Sequence, residues 1–139
     1  MIHSLIPPVR GRSFHSVPVA LALAGLAVSG CRSPVQKQLD GRWLGDGVEN
    51  FDDSAVPAAT GWAKGASFEF SGTRMTVSVP AEEPRSGAYR IVKVHGPDVT
   101  IEVDRQGGGV DRTLLKLDDG RTLRWMLPGG RAVVLRREL

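Results

Sequence analysis

Reactive side chains are sparse in this chain of 139 residues, and their spacing excludes more chemistry than it supports. Beyond residue 30 there is one histidine, His95, set in a His-Gly-Pro-Asp turn. A serine–histidine–acid set would need it as the base. None of the six serines after residue 30 lies in a Gly-x-Ser-x-Gly elbow, so nothing points to hydrolysis. A zinc site draws on several nitrogen or sulfur ligands, and His95 has no second histidine and only one cysteine, Cys31, to join it. Acidic pairs occur at Asp52-Asp53, Glu82-Glu83 and Asp118-Asp119, each among turn residues where solvation accounts for the charge. Asp118-Asp119-Gly120 lacks the further spaced oxygens of an EF-hand loop. Gln106-Gly107-Gly108-Gly109 has no Lys-Ser/Thr and no helix after it, so it reads as a hairpin turn and not a phosphate cradle. The expectation is a non-catalytic protein without cofactor or metal.

Cys31 has a different use. Arg10 and Arg12 precede an apolar run, Val17 to Val28, that carries no charge. Basic segment, apolar core and small residues in that order make a secretory signal. The core is twelve residues long, short of the roughly 20 that a spanning helix requires. Val28-Ser29-Gly30-Cys31 resembles the lipobox of bacterial lipoproteins. That resemblance implies removal of residues 1–30 and acylation of the Cys31 thiol. Residues 31–40 then form a lipid-bearing tether and residues 41–139 the domain. Each buried CH₂ contributes roughly 0.8 kcal/mol, so two or more chains hold a protein stably on a bilayer. The residue after the cysteine is Arg32, not the Asp that in this class retains a protein at the inner membrane. The implied location is the cell envelope, lipid-anchored at the outer membrane and facing the periplasm or the cell surface.

Without Arg10 and Arg12, the 18 Lys and Arg of the whole chain fall to 16, against 15 Asp and Glu. The domain is nearly neutral, its basic residues are scattered, and no stripe of the kind nucleic acids need is present. With a single cysteine no internal disulfide can form, so a small exported domain must rely on packing. About 100 residues suffice for one hydrophobic core.

From Gly41 the chain reads as short strands cut by turns. They are Arg42–Val48, Ala66–Phe70, Thr73–Val79, Ala88–Val94, Val99–Asp104, Asp111–Leu117, Thr122–Leu127 and Arg131–Arg137. Asp-Gly and Gly-rich links between them suit antiparallel neighbours. Alternation is clear at Phe68/Phe70, at Met75/Val77/Val79, at Val99/Ile101/Val103 and at Leu123/Trp125/Leu127. Adjacent Ile91 and Val92 break the pattern, as a bulge or two-sided burial would. Nothing after residue 40 reads as an amphipathic helix, and in the tether Val35 and Leu39 could at most begin a helical turn. The fold class expected is all-β, a small antiparallel up-and-down barrel of about eight strands, since closure removes exposed edges. Such a barrel is either filled by side chains or holds one small ligand; with strands near six residues, a packed interior is the expectation.

Gly41-Arg42-Trp43 at the first strand, followed by the long 49–65 loop, resembles the start of a lipocalin, within the wider calycin barrels. That resemblance implies that Trp43 plugs the closed end and that Arg136 or Arg137, on the last strand, covers its indole. It implies also that the 49–65 loop partly lids the open end. Trp62 in that loop either caps the barrel mouth, the more common fate of such a residue, or faces a partner; with Glu82, Glu83 and Arg85 of the 80–87 segment it makes the expected contact surface for a ligand or partner. Trp125 reads as core. Three functions are carried forward: a tethered protein that binds an envelope partner or small apolar ligand, an envelope inhibitor of a lysozyme or protease, and a structural or stress-response lipoprotein without ligand.

Overall fold

A computed structural model describes residues 33–139. The signal reading on 1–30 and the acylation of Cys31 lie outside the described residues. From Gly41 the chain forms eight strands: β1 Gly41–Glu49, β2 Ser67–Ser71, β3 Arg74–Ser78, β4 Arg85–His95, β5 Asp98–Asp104, β6 Val110–Leu117, β7 Thr122–Met126 and β8 Ala132–Arg137. Each pairs antiparallel with the next, and β8 returns to β1 with Leu44 opposite Arg136, so the barrel is closed.

Period-two alternation sends one face of every strand inward. Phe68, Phe70, Met75, Val99, Ile101, Leu115, Leu123, Val133 and Leu135 are all buried there. Each such side chain contributes roughly 1.5–3 kcal/mol on leaving water. Register shifts between Gly45 and Gly47 and between Ile91 and Lys93. The second makes Val92 the extra residue of a bulge, which explains the adjacent Ile91 and Val92.

There are two helices, where the sequence offered a possible helical turn at Val35 and Leu39 and none after residue 40. The tether is folded: α1 spans Pro34–Leu39, with Ser33 accepting at its N-cap from the Gln36 N–H at 3.1 Å and proline at the first position. Its Leu39 is fully buried in the barrel core. The long loop holds α2, Val56–Lys64, which meets β1 where Gly45 N–H donates to the Ala66 carbonyl at 2.9 Å.

Strand direction sorts the connections into two ends. At one end, here the base, lie α1, the 71–74, 95–98 and 117–122 turns and the finish of β8. At the other, the mouth, lie α2 and the 79–84, 105–109 and 127–131 connections.

The base is shut by Trp43. Its indole N–H donates to the Leu39 carbonyl at 2.9 Å, and the Arg137 guanidinium stacks 4.3 Å from the ring centre. Arg137 also donates to the backbone oxygens of Asp40 (2.5 Å), Gly120 (2.8 Å) and Gln38. Gly41, at φ +124°, leaves room for it, since a Cβ there would sit 2.8 Å from the guanidinium. Arg136 points outward to Asp46 at 2.9 Å and Thr122 at 3.1 Å. Of the two candidate arginines, Arg137 covers the indole.

The 118–121 turn is held by Asp119, whose carboxylate accepts from the N–H of Arg121 (2.7 Å) and Thr122 (2.8 Å). Those two bonds, Arg121 first, hold its carboxyl below the usual carboxylate range. A depressed folded-state value stabilises above the unfolded value, about pH 4, and that stabilisation fades as pH falls through the folded value. Asp119→Asn is therefore expected to flatten the fall in melting temperature between about pH 4 and pH 2. Thermal denaturation across that window checks this.

Candidate ligand-binding cup

The expected packed interior holds only toward the base: above the aromatic filling, the inward side chains no longer meet across the barrel. Met75, Val77 and Val103 on β3 and β5 leave a cavity of about 700 Å³ open at the mouth. Drug-sized ligands occupy pockets of about 300–1,000 Å³ lined mostly by apolar groups. The floor and one wall are aromatic. Trp125 lies 5.2 Å from Phe68 and 6.0 Å from Trp62, ring centre to ring centre. Below them Phe68 packs edge-on against Phe70 at 6.4 Å, and Phe70 against Tyr89 at 5.2 Å. This column carries the core from base to mouth, and the cup sits beside its upper end.

Helix α2 sets Trp62 over the cup. Its sequence, VPAATGWAK, has no apolar stripe and only Ala63 buried. Placement comes from β1: a Cβ on Gly45 would lie 1.7 Å from the Ala63 carbonyl oxygen. A side chain at that position would push the end of α2 off the sheet. Gly65 has a similar role against Pro80, where a Cβ would come within 2.6 Å. That contact ties α2 to the 79–84 connection.

The rim is charged and mostly self-paired. Arg85 lies 3.6 Å from Glu82, and Arg105 donates to Asp111 at 2.7 Å. Arg112 lies 3.5 Å from Glu102, which also faces Arg90 at 3.7 Å across β4 and β5. Glu83 makes no ion pair among the described residues. On the outward face of β3 and β4, next to the rim, the Thr76 and Ser86 hydroxyls bond to each other at 2.7 Å. Exposed pairs like these contribute about 0–1 kcal/mol each; their effect is to leave a polar collar around an apolar hole.

The structure thus brings Trp62, Glu82, Glu83 and Arg85 to one cavity. Gly41, Trp43, Arg136 and Arg137 lie at or toward the opposite end. Trp125, read from sequence as core, is half-buried and forms the cup wall. Trp62 is 39% exposed, packed over Trp125 on one side and facing solvent on the other. The β5–β6 rim, with Arg105, Asp111, Arg112 and Thr113, was not singled out from sequence. Alternate connections of an up-and-down barrel share an end, and that parity was the available signal. His95 is exposed at the base, in the β4–β5 turn and outside the cup. Among the described residues, no group of three His, Cys, Asp or Glu could hold a metal ion. The arrangement suits apolar burial with a polar end at the rim. Comparison with protein-family models, curated proteins and solved structures finds no match to this chain.

Proposed function

We propose that this chain is a lipid-anchored, non-catalytic protein of the cell envelope whose barrel, lipocalin-like in build, holds a small apolar or amphiphilic ligand in its mouth. The observation that carries the reading is the cup itself: about 700 Å³, with Phe68, Met75, Val77, Val103 and Trp125 inside. Burial of apolar ligand surface there contributes roughly 25 cal/mol per Å² before the costs of association. Anchoring rests on the lipobox Val28-Ser29-Gly30-Cys31 and the apolar run before it.

Titration with a lipophilic dye tests it. Dye emission should rise and saturate at one equivalent, with the emission of Trp62 and Trp125 changing in step. Trp62→Ala should weaken uptake by roughly tenfold, since an aromatic roof carries about 1–2 kcal/mol of such contacts. No uptake, together with slowed lysozyme or protease at stoichiometric concentration, would instead favour an inhibitor working through the 79–84 rim.

A further inference from the structure

We propose that the base of the barrel is a membrane-contact face that rests on the anionic bilayer carrying its own anchor, so that the cup opens away from the lipid. This rests on the anchoring of Cys31 given above.

The chain leaves little slack. Only Arg32 separates Cys31 from Ser33, a reach of at most about 7 Å over two steps of the chain. Ser33 caps α1, and α1 is bound to the base along its length. Val35 packs against the core, Gln36 Nε2 donates to the Gly72 carbonyl at 3.2 Å, and Leu39 is buried under the Trp43 indole N–H. Most of the 31–40 tether expected from sequence is thus packed on the barrel as α1, at the base.

Charge is divided between the ends in the same sense. Lys37, Arg74, Lys93 and Arg121 lie at the base and make no ion pair among the described residues. Of the acids at this end, Asp98, Asp118 and Glu138 are paired with Lys116, Arg124 and Arg42, Asp119 is engaged by two backbone N–H groups, and Asp40 is half-buried beside Arg137. At the mouth Lys64 and Arg131 stand unpaired against Asp52, Asp53 and Glu83. Glu69 is mid-strand. Basic residues next to a bilayer anchor are drawn to anionic headgroups over about a Debye length.

The base also presents apolar surface. β3 pairs with β4 only as far as Ala88, and the Tyr89 N–H reaches the Thr73 carbonyl. Beyond that point the β4–β5 hairpin stands clear of β3. On it Val92 is 42% and Val94 48% exposed, with Lys93 between them. Valines flanking a lysine at a projecting tip suit the headgroup boundary, where apolar groups bury and the ammonium meets phosphate.

The test uses the full-length acylated protein in vesicles of phosphatidylethanolamine and phosphatidylglycerol. With Cys31 acylated, Val94→Cys or Gln106→Cys supplies the single free thiol for an environment-sensitive fluorophore. The label at 94 should shift to the blue and be quenched by lipids bearing a quencher in the headgroup region. The label at 106, on the mouth rim, should do neither. Lys37→Glu with Lys93→Glu should abolish the shift at 94 while the protein stays with the vesicles. Equal exposure of both labels on vesicle-bound protein would overturn the orientation and leave the anchor standing, as would a shift at 94 that appears only when a soluble protein partner is added. Protein that fails to float with the vesicles would overturn the anchor, and this inference with it.

Discussion

Trp43→Ala is expected to remove about 3–5 kcal/mol of stability, the range for a large buried aromatic. Trp43 is fully buried, and its loss orphans the Leu39 carbonyl and the face on which Arg137 lies. Domains of this size have about 5–15 kcal/mol in total. At about 4–8 °C per kcal/mol, melting should drop by more than 12 °C. Arg137→Ala should follow the same direction by about 2–3 kcal/mol, combining the lost stacking with three backbone carbonyls left unpaired. Arg136→Ala is the control: its ion pair with Asp46 is exposed, and about 1 kcal/mol or less should be lost. Calorimetric melting of the three variants ranks them. Equal losses at 136 and 137 would mean that the base is not closed in this way.

Gly45→Ala is expected to act on both stability and binding. The added methyl has no room against the Ala63 carbonyl, so the end of α2 must lift. Overpacking of this kind costs about 1–3 kcal/mol, occasionally more. Because α2 carries Trp62, dye uptake should fall along with melting temperature. Gly47→Ala, two residues on, has open space at its Cβ, so neither property should move beyond about 1 kcal/mol. Were Gly45→Ala to bind dye as tightly as the parent, the cup would not depend on α2.

The strands were legible because burial of alternate residues is a strong and local signal. Phe68-Glu69-Phe70 and Val99 to Asp104 declare both their conformation and their inward face. The lipocalin resemblance, which makes the 49–65 loop a lid, put Trp62 at the mouth, and the alternation of connections between the two ends is what sets the 80–87 segment and the 105–109 turn beside it. The helices were not legible, for two different reasons. α2 has Thr60 and Gly61 in its middle and no apolar stripe, so isolated propensity argues against it. It exists because Gly45 accepts its backbone and Trp125 accepts Trp62, contacts made from far along the chain. α1 is six residues, below the length that nucleates alone. Its Ser33-Pro34 start matches an N-cap followed by proline, but Leu39 needs the barrel's base to be buried against. The role of Arg137 over Arg136 depends on which neighbour faces inward, and the bulge in β1 makes that parity hard to count from residue 41.

Ligand binding in the mouth requires a real, fillable space beside Trp125. Val77 lines the cup half-buried, opposite Phe68 on the neighbouring strand, so Val77→Phe adds volume where there is room for it. Dye titration and thermal melting of that variant form the most direct measurement. Affinity should fall by about tenfold or more, a loss of at least ~1.4 kcal/mol, while the melting temperature stays level or rises. Unchanged affinity, or a collapse in melting temperature of the kind that overpacking a solid core produces, would contradict the account.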